Sequence, residues 1–478
     1  MAENKKKKFS LTPFSIILIL LLVVAMFTWI FTGKAIAGSE DKVIAAGFST
    51  IIMSVVNGFA DAMEVIIFVF ILGGFLGLVT HSGALDTGIA ALVKKLKGHE
   101  LVIIPVLMTI FSICGSTYGM LEETVGFYAL LSGTMVAAGM DTVVASATVL
   151  LGAGSGVLGS TVNPFAVGAA LDAADKTGVE INQGMVIAIG AVLWVVSLLI
   201  SIFFVYTYAA KVKKDKGSTI MTLQEQEAMM AEYGNKEIGE DVKLTGRQKA
   251  ILVLFAITFL IMIVMFIPWG SFGIDMSWTS WLFGEAFGDT YMLEAATWFM
   301  IMGIVIGIID MAGREKEAEH KIVDTFIAGC CDMMSVCLVI AVSRGVSVLM
   351  SSTHFSDFLV VNAGNALSAL PKFVFTPLNY LFHLVLSVLV PSSSGLATLS
   401  GVIMLPIANQ ANFDVNVTLM TMVAANGVVN LITPTCGAIM GGLALARVDY
   451  STWVKWAAKV VGCIGLASLV ILTIWGAF

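Results

Sequence analysis

Small polar residues interrupt four otherwise apolar stretches, and these interruptions carry the chemistry that the sequence offers. Two are short clusters, Cys114-Gly115-Ser116-Thr117-Tyr118-Gly119 and Pro391-Ser392-Ser393-Ser394-Gly395, and two are runs around 159–164 and 432–437. Backbone that leaves a helix inside a bilayer survives only within protein or beside water. Its free N–H groups suit a carboxylate, and its free carbonyls suit a cation. These four breaks therefore indicate a site for a small charged solute.

The side chains near the breaks are mainly hydroxyls, amides and carboxylates. Candidate substrate-binding residues are Ser116, Thr117, Glu122, Glu123, Asn163, Arg344, Ser392, Ser393, Ser394, Asn430, Thr433 and Thr435. A Na⁺ ion could bind near Ser160, Asn163, Asn430 and Thr433. No other cofactor and no metal cluster is expected. For Asn426 a hydrogen bond between helices is the favoured role.

Ionisable residues at membrane depth are costly and are functional hypotheses by default. Glu122 and Glu123 could pair with a cationic substrate, accept a proton, or cap the helix that follows. Arg344 interrupts an apolar span, where it could clamp a carboxylate in bidentate fashion or form a structural ion pair. Asp310 and Glu64 are expected to serve structure.

Composition defines the surroundings of these residues. The chain has 478 residues, of which 58% are hydrophobic and only 12% charged, and its mean hydropathy is +0.95. Soluble domains carry about 45–50% apolar and about 25% charged residues. These values exclude a soluble enzyme, a disordered chain and a nucleic-acid binder. They predict an all-α polytopic membrane protein, with the lipid bilayer as its surroundings.

About 20 apolar residues are needed to cross a bilayer. Nine such spans are predicted, at 13–32, 62–80, 142–171, 184–210, 250–268, 291–313, 322–350, 417–446 and 453–475. Two interrupted segments, 100–136 and 372–410, are predicted to be re-entrant helical hairpins. The more amphipathic stretch at 43–60 is expected to lie along the interface.

The placement of basic residues predicts the topology. Of 26 Lys and Arg, 21 fall in the segments assigned to the cytoplasm, which places the N-terminus inside and, after nine crossings, the C-terminus outside. Three regions follow: residues 1–210, a cytoplasmic linker at 211–249, and residues 250–478. The linker is expected to be a solvated connector with a short helix at Leu223–Tyr233.

An internal repeat is the most informative pattern. In both halves a hairpin with a polar tip and a return helix is followed, after a short turn, by a span broken at a Ser/Thr–Pro cluster (142–171 and 417–446). The charge placement gives the two hairpins opposite orientations. Two similar halves of opposite orientation are typical of secondary transporters.

Four strings carry a resemblance to a known family: GSTYGMLEETVGFYALL, LLGAGSGVLGSTVNPFAVG, VLVPSSSGLATLSGVIMLPIA and NGVVNLITPTCGAIMGGLALA. They resemble the YfcC-type family of basic amino acid antiporters. That family belongs with the anaerobic four-carbon-dicarboxylate carriers and the ion-transporter superfamily. The likeness covers nearly the whole chain. It implies paired inverted repeats, a homodimer built from scaffold helices, an elevator-type moving domain, and exchange of arginine for ornithine across a bacterial inner membrane.

The charged residues indicate which class of substrate the site could bind. A basic amino acid needs an anion-friendly subsite, which Ser392–Gly395 and Arg344 could form, and an acidic one, which Glu122 and Glu123 could form. A four-carbon dicarboxylate needs two cation-rich subsites, so a basic amino acid is favoured. Na⁺- or H⁺-coupled carriage of dicarboxylates or other small carboxylates is the alternative. A channel, an intramembrane hydrolase at Ser393 and a receptor are less consistent with the repeat.

Overall fold

The computed structural model describes residues 13–85, 87–88, 91, 99–234, 244–267, 269–290, 292–311 and 318–477; the side chains of Tyr118, Glu123 and Lys372, among others, lie outside the described set. These residues are almost entirely helical. The first-half helices are α1 (Pro13–Ile30), α2 (Phe48–Asp61), α3 (Met63–His81), α4 (Ile103–Tyr118), α5 (Val125–Ala137), α6 (Thr142–Leu158), α7 (Ala169–Lys176) and α8 (Gln183–Lys214). The later helices are α9 (Leu223–Tyr233), α10 (Gly246–Phe266), α11 (Met292–Met311), α12 (Ala318–Asp332), α13 (Met334–Ser352), α14 (Phe355–Ser368), α15 (Lys372–Leu389), α16 (Ser393–Gln410), α17 (Val415–Val429), α18 (Gly437–Leu445) and α19 (Tyr450–Ala477).

Seven helices within the described residues are long and apolar enough to cross a membrane. They are α3, α8, α10, α11, α13, α19 and the segment Glu100–Thr117, which includes most of α4. The chain is therefore a multi-pass α-helical membrane protein. Both predicted broken spans are interrupted in the structure: α6 ends at Leu158 before α7 begins at Ala169, and α17 ends at Val429 before α18 begins at Gly437.

The expectation of one continuous span at 322–350 is wrong. The chain forms α12 and α13 there, separated by Met333. The cause is the partner, which is itself bent: α2 and α3 meet at Ala62, α2 packs on α13, and α3 packs on α12. A straight helix could not follow both arms of a bent one. The stretch predicted at 43–60 to lie along the interface thus forms α2 and packs against α13.

Glycines bring the backbones of these two bent helices into contact. A Cβ atom at Gly58 of α2 would lie 2.2 Å from the carbonyl oxygen of Ala341 in α13. A Cβ atom at Gly329 of α12 would lie 2.3 Å from the carbonyl oxygen of Gly73 in α3. Small residues allow this close approach in membrane proteins. We refer to α1–α3 together with α11–α13 as the crossed-helix bundle.

The other large group of helices, α4–α8 and α15–α19, is called the hairpin bundle below. Its two halves show corresponding contacts: α4 and α5 pack on α6, and α15 and α16 pack on α17. The broken spans also begin alike, since Asp141 and Asp414 cap α6 and α17 by accepting hydrogen bonds from Val144 N and Val417 N, both at 3.0 Å. Beyond the breaks, α7 packs on α16 and α18 packs on α5, so each half contacts the other.

The predicted linker helix at Leu223–Tyr233 is confirmed as α9. It does not behave as a solvated connector, because Glu225 is buried. The Glu225 carboxylate accepts hydrogen bonds from Thr222 N at 2.7 Å, Asp449 N at 2.9 Å and Thr452 Oγ1 at 3.0 Å. The Tyr233 hydroxyl donates to the Leu445 carbonyl at 2.6 Å, and burial raises the pKa of Tyr233 to about 12, which keeps it a donor. The linker helix is thus docked beside the turn between α18 and α19.

Candidate functional site

A cavity of about 720 Å³ lies between the two bundles, and both hairpin tips and both broken spans contribute to its wall. We call it the central cavity. The crossed-helix bundle closes its other side with α2, α3, α11 and α13. Its polar and charged lining residues are Asp61, Glu64, Glu122, Asn163, Asp172, Ser343, Arg344, Ser392, Ser393, Ser394, Asn430, Thr435 and Cys436. Segments that are far apart in sequence therefore meet at one place.

The first tip is shaped by Gly119, which follows α4 with φ +82°, a conformation that favours glycine. A Cβ atom there would lie 2.6 Å from Asn163 Oδ1, so the tip and the first break are in direct contact. Ser116 reinforces this contact, since its hydroxyl is 3.2 Å from the Gly159 carbonyl and 3.1 Å from Thr161 Oγ1. Glu122 then begins a short 3-10 turn, Glu122–Thr124, and lines the cavity.

The second tip is held by two asparagines of the second broken span. Ser392 caps α16, and its Oγ accepts from Gly395 N at 3.2 Å. The Ser393 hydroxyl donates to Asn426 Oδ1 at 2.9 Å, and Asn430 Nδ2 donates to the Pro391 carbonyl at 2.8 Å. The prediction that Asn426 forms a hydrogen bond between helices is confirmed. The polar tip is thereby fixed at the cavity wall.

The breaks themselves carry amides and hydroxyls. Asn163 Nδ2 donates to Ser160 Oγ at 2.9 Å, while Asn163 Oδ1 accepts from Phe165 N at 2.9 Å and starts the turn that leads into α7. In the second break the Thr435 hydroxyl donates to the Val388 carbonyl at 2.8 Å. Among the described residues, Asn430 Oδ1 is buried without a hydrogen-bond partner. That oxygen is a free acceptor beside the central cavity.

The charge of the wall is unequal. Asp61, Glu64, Glu122 and Asp172 contribute four carboxylates, whereas Arg344 is the one basic side chain among the described lining residues. Arg344 Nε lies 3.8 Å from Asp61 Oδ2, so Arg344 does have an ion-pair partner, on α2. Asp172 pairs with Lys176 one turn later, at 3.0 Å. The described wall therefore carries more acidic than basic side chains.

Eight of the twelve candidate substrate-binding residues line the cavity, and Ser116, Thr117 and Thr433 do not. Ser116 joins the first tip to the first break, Thr117 Oγ1 donates to the Ile113 carbonyl at 2.8 Å, and Thr433 Oγ1 is 2.7 Å from Thr435 Oγ1. The side chain of Glu123 lies outside the described residues. Among the candidate Na⁺ ligands, Asn163 and Asn430 reach the wall, whereas Ser160 and Thr433 are buried behind it.

Sequence reasoning missed three acids and one thiol in this wall. Asp61 ends α2, which was expected at the interface, and Glu64 was expected to serve structure. Asp172 lies just beyond the first predicted broken span, and Cys436 lies within the second break but was not among the candidates. The available signal was the pair of carboxylates Asp61 and Glu64, which lie three residues apart in otherwise apolar surroundings. Asp310, which was expected to serve structure together with Glu64, does so: it is buried and pairs with Arg247 at 2.7 Å and His81 at 2.9 Å.

The architecture and the family comparison define the class of protein: a multi-pass membrane transporter, and not an enzyme. Residues 6–476 match the family described as C4-dicarboxylate anaerobic carrier (DcuC), so the chain belongs to that family. An uncharacterized protein of Haemophilus influenzae is 30% identical over 444 residues, covering 92% of this chain and 81% of that protein. The Escherichia coli protein named "Putative basic amino acid antiporter YfcC" is 28% identical over 420 residues, covering 87% of this chain and 78% of that protein.

Two solved transporters align over nearly the full length. The YdaH transporter of Alcanivorax borkumensis is 15% identical, with 97% of this chain and 98% of that chain covered and a TM-score of 0.47. MtrF of Neisseria gonorrhoeae is 16% identical, with 98% and 96% covered and a TM-score of 0.46.

Proposed function

We propose that this protein is a secondary active transporter that exchanges basic amino acids, arginine for ornithine, by alternating access. One observation carries the proposal: both tips and both breaks line a single cavity whose described wall has four carboxylates and one guanidinium. A basic amino acid bears two positive charges and one negative charge, so it complements such a wall. Exchange of one monocation for another moves no net charge and needs no ion gradient.

Glu122 is proposed to bind the side-chain cation of the substrate. It is partly buried in the cavity wall, and its carboxylate has no hydrogen bond or ion pair within the described part of the chain. A carboxylate in that position is costly unless it meets a cation. The N-terminus of α16 at Ser393 and Ser394 supplies N–H groups at the opposite tip, and these favour negative charge in the cavity.

Carriage of a four-carbon dicarboxylate, coupled to Na⁺ or H⁺, is the second candidate. The description of the family favours it, and so do Arg344 and the N-terminus of α16 in the wall. The unpartnered Oδ1 of Asn430 would then be the best-placed ligand for Na⁺. Against this candidate, two carboxylates would enter a wall with an excess of acidic groups. The name of the related protein YfcC supports the amino acid instead.

The corresponding contacts of the two halves support inverted repeats, with the hairpin bundle moving as an elevator against the crossed-helix bundle. In this proposal the hairpins are re-entrant, the crossed-helix bundle forms a homodimer, and the protein resides in the bacterial inner membrane. The concentration of basic residues in the assigned cytoplasmic segments supports a cytoplasmic N-terminus.

A ligand panel tests the proposed substrate class. The purified protein is heated with arginine, ornithine, lysine, succinate or a neutral amino acid, with and without Na⁺. A ligand that binds only the folded state stabilises it by about 2.7 kcal/mol at a hundredfold excess over Kd. We expect arginine, ornithine and lysine to raise the unfolding temperature without Na⁺. A rise with succinate alone, dependent on Na⁺, would favour the dicarboxylate carrier.

A further inference from the structure

Asp61 and Arg344 present opposite charges side by side in the wall of the central cavity. They belong to α2 and α13, and Arg344 Nε lies 3.8 Å from Asp61 Oδ2. The side chains are 24% exposed for Arg344 and 48% exposed for Asp61, so both can be reached from the cavity. Within the described part of the chain, the guanidinium of Arg344 makes no hydrogen bond, and its two terminal nitrogens have no partner.

Backbone packing, rather than the ion pair, fixes the position of these two side chains. Gly58 lies one turn before Asp61, and Gly345 follows Arg344. A Cβ atom at Gly58 would lie 2.6 Å from Gly345 N, and one at Gly345 would lie 2.9 Å from the Ser54 carbonyl oxygen. The two helices therefore touch directly beside the pair. The charges stay opposite each other whether or not they are bonded to one another.

The pair itself is a weak interaction. It is a single contact at a long distance between partly exposed groups, and such pairs contribute little to stability. An Arg side chain binds a carboxylate best through two parallel hydrogen bonds from its planar fork, a geometry that Asp61 does not provide. A solute carboxylate can therefore bind Arg344 at little cost. A solute that carries only a carboxylate would then be repelled by the negative charge of Asp61.

An α-amino acid resolves this conflict because it carries an ammonium group next to its carboxylate. We propose that Asp61 and Arg344 form the subsite for the α-amino acid head group, in which Arg344 binds the carboxylate and Asp61 binds the ammonium. This inference rests on the proposed function and extends it: the pair selects the head group, and Glu122 selects the side chain. A dicarboxylate satisfies Arg344 and is repelled by Asp61.

Analogues that lack one group each test the assignment. Binding to the full-length protein in nanodiscs is measured for arginine, agmatine (no carboxylate), 5-guanidinopentanoate (no α-amine) and citrulline (no side-chain cation). Wild-type protein is expected to bind arginine at least tenfold more tightly than agmatine or 5-guanidinopentanoate. Asp61→Asn should remove the preference for arginine over 5-guanidinopentanoate and keep the preference for arginine over agmatine. Arg344→Gln should remove the preference for arginine over agmatine and keep the preference over 5-guanidinopentanoate.

Glu232→Gln is the matched control, since Glu232 forms an exposed ion pair with Arg447 and neither residue lines the cavity. It should leave all ratios unchanged, and monodisperse elution shows that each variant folds. If both variants bound every ligand more weakly by the same factor, or if the affinity ratios between arginine and its analogues did not change, the head-group assignment alone would be overturned. Equal binding of citrulline and arginine by the wild type would refute the cation specificity and leave the head-group subsite testable through the same ratios. Absence of binding for every α-amino acid would refute both.

Discussion

Glu122 is the residue on which the proposed charge selectivity depends most. It lies shortly beyond the first tip and lines the central cavity, as do Cys436 and Arg344. Glu122 and Arg344 therefore face the same cavity. An acid and a base so placed can contact the two ends of one zwitterionic solute.

Glu122→Gln should raise the Kd for arginine about 10- to 100-fold, because a hydrogen bond to a charged group contributes about 1.5–3 kcal/mol. Binding is measured by isothermal titration of the purified protein. Glu180→Gln is the control, since Glu180 is exposed and does not line the cavity. An unchanged Kd in Glu122→Gln would remove Glu122 from the site.

Ser393→Cys should react with a thiol reagent in the absence of substrate and be protected by arginine, because Ser393 lies in the cavity wall. The exposed Cys331 and Cys463 are first replaced by serine so that they do not react. Labelling is measured by mass spectrometry. The same rate with and without arginine, at a concentration that saturates binding, would place the substrate elsewhere.

The sequence predicted the residues of the tips and breaks well because polar side chains within apolar runs are locally recognisable. Ser392, Ser393, Ser394, Asn163 and Asn430 all reach the cavity wall. Local sequence patterns could not distinguish residues in the wall of the central cavity from residues buried directly behind that wall. Ser116 and Thr433 have the same type and context, yet their hydroxyls are used by neighbouring backbone and side chains.

At the scale of the helices, the contact between α2 and α13 holds the crossed-helix bundle together. Gly58→Ala should destabilise the protein by about 1–3 kcal/mol, as overpacking does, because its Cβ would lie 2.2 Å from the Ala341 carbonyl oxygen. The unfolding temperature of the purified protein is measured. Gly462→Ala is the control, since nothing lies within 4 Å of a Cβ there. Equal stability of both variants would contradict the close helix contact.

The docking of the linker helix α9 depends on the carboxylate of Glu225. Glu225→Ala leaves the Thr452 hydroxyl and the Asp449 N–H without their partner, at a cost of about 1–3 kcal/mol. We expect the segment around α9 to become accessible to limited proteolysis, measured by the rate of cleavage. Glu227→Ala, at an exposed position of the same helix, is the control. Cleavage at the wild-type rate in Glu225→Ala would show that α9 is not held by this carboxylate.

Helix ends were predictable where the chain carries Gly, Pro or a capping residue. The breaks after Leu158 and Val429 and the bounds of α9 follow from such residues, and Thr222 with Glu225 forms a capping box. The bend at Met333 was not predictable, because no such residue marks it. Its cause is the bent partner on the other side of the bundle, and contacts of this kind are absent from local sequence patterns.

At the scale of the whole molecule, the central cavity lies between two groups of helices with different construction. The crossed-helix bundle is joined through glycine contacts, whereas the hairpin bundle contains the tips and breaks. Arg344 and Asp61 belong to the first group, and Glu122 and Ser393 belong to the second. In the proposed exchange cycle, a substrate therefore bridges the two bundles, and its release is coupled to their relative movement.

Counterflow in proteoliposomes tests the exchange of basic amino acids most directly. Vesicles are loaded with unlabelled ornithine, succinate or buffer alone, and the uptake of external radiolabelled arginine is followed without an ion gradient. We expect ornithine inside to accelerate arginine uptake at least tenfold over buffer, and succinate to have no effect. Arginine uptake that is independent of the internal solute, or exchange of labelled succinate alone, would contradict the proposed basic amino acid antiporter.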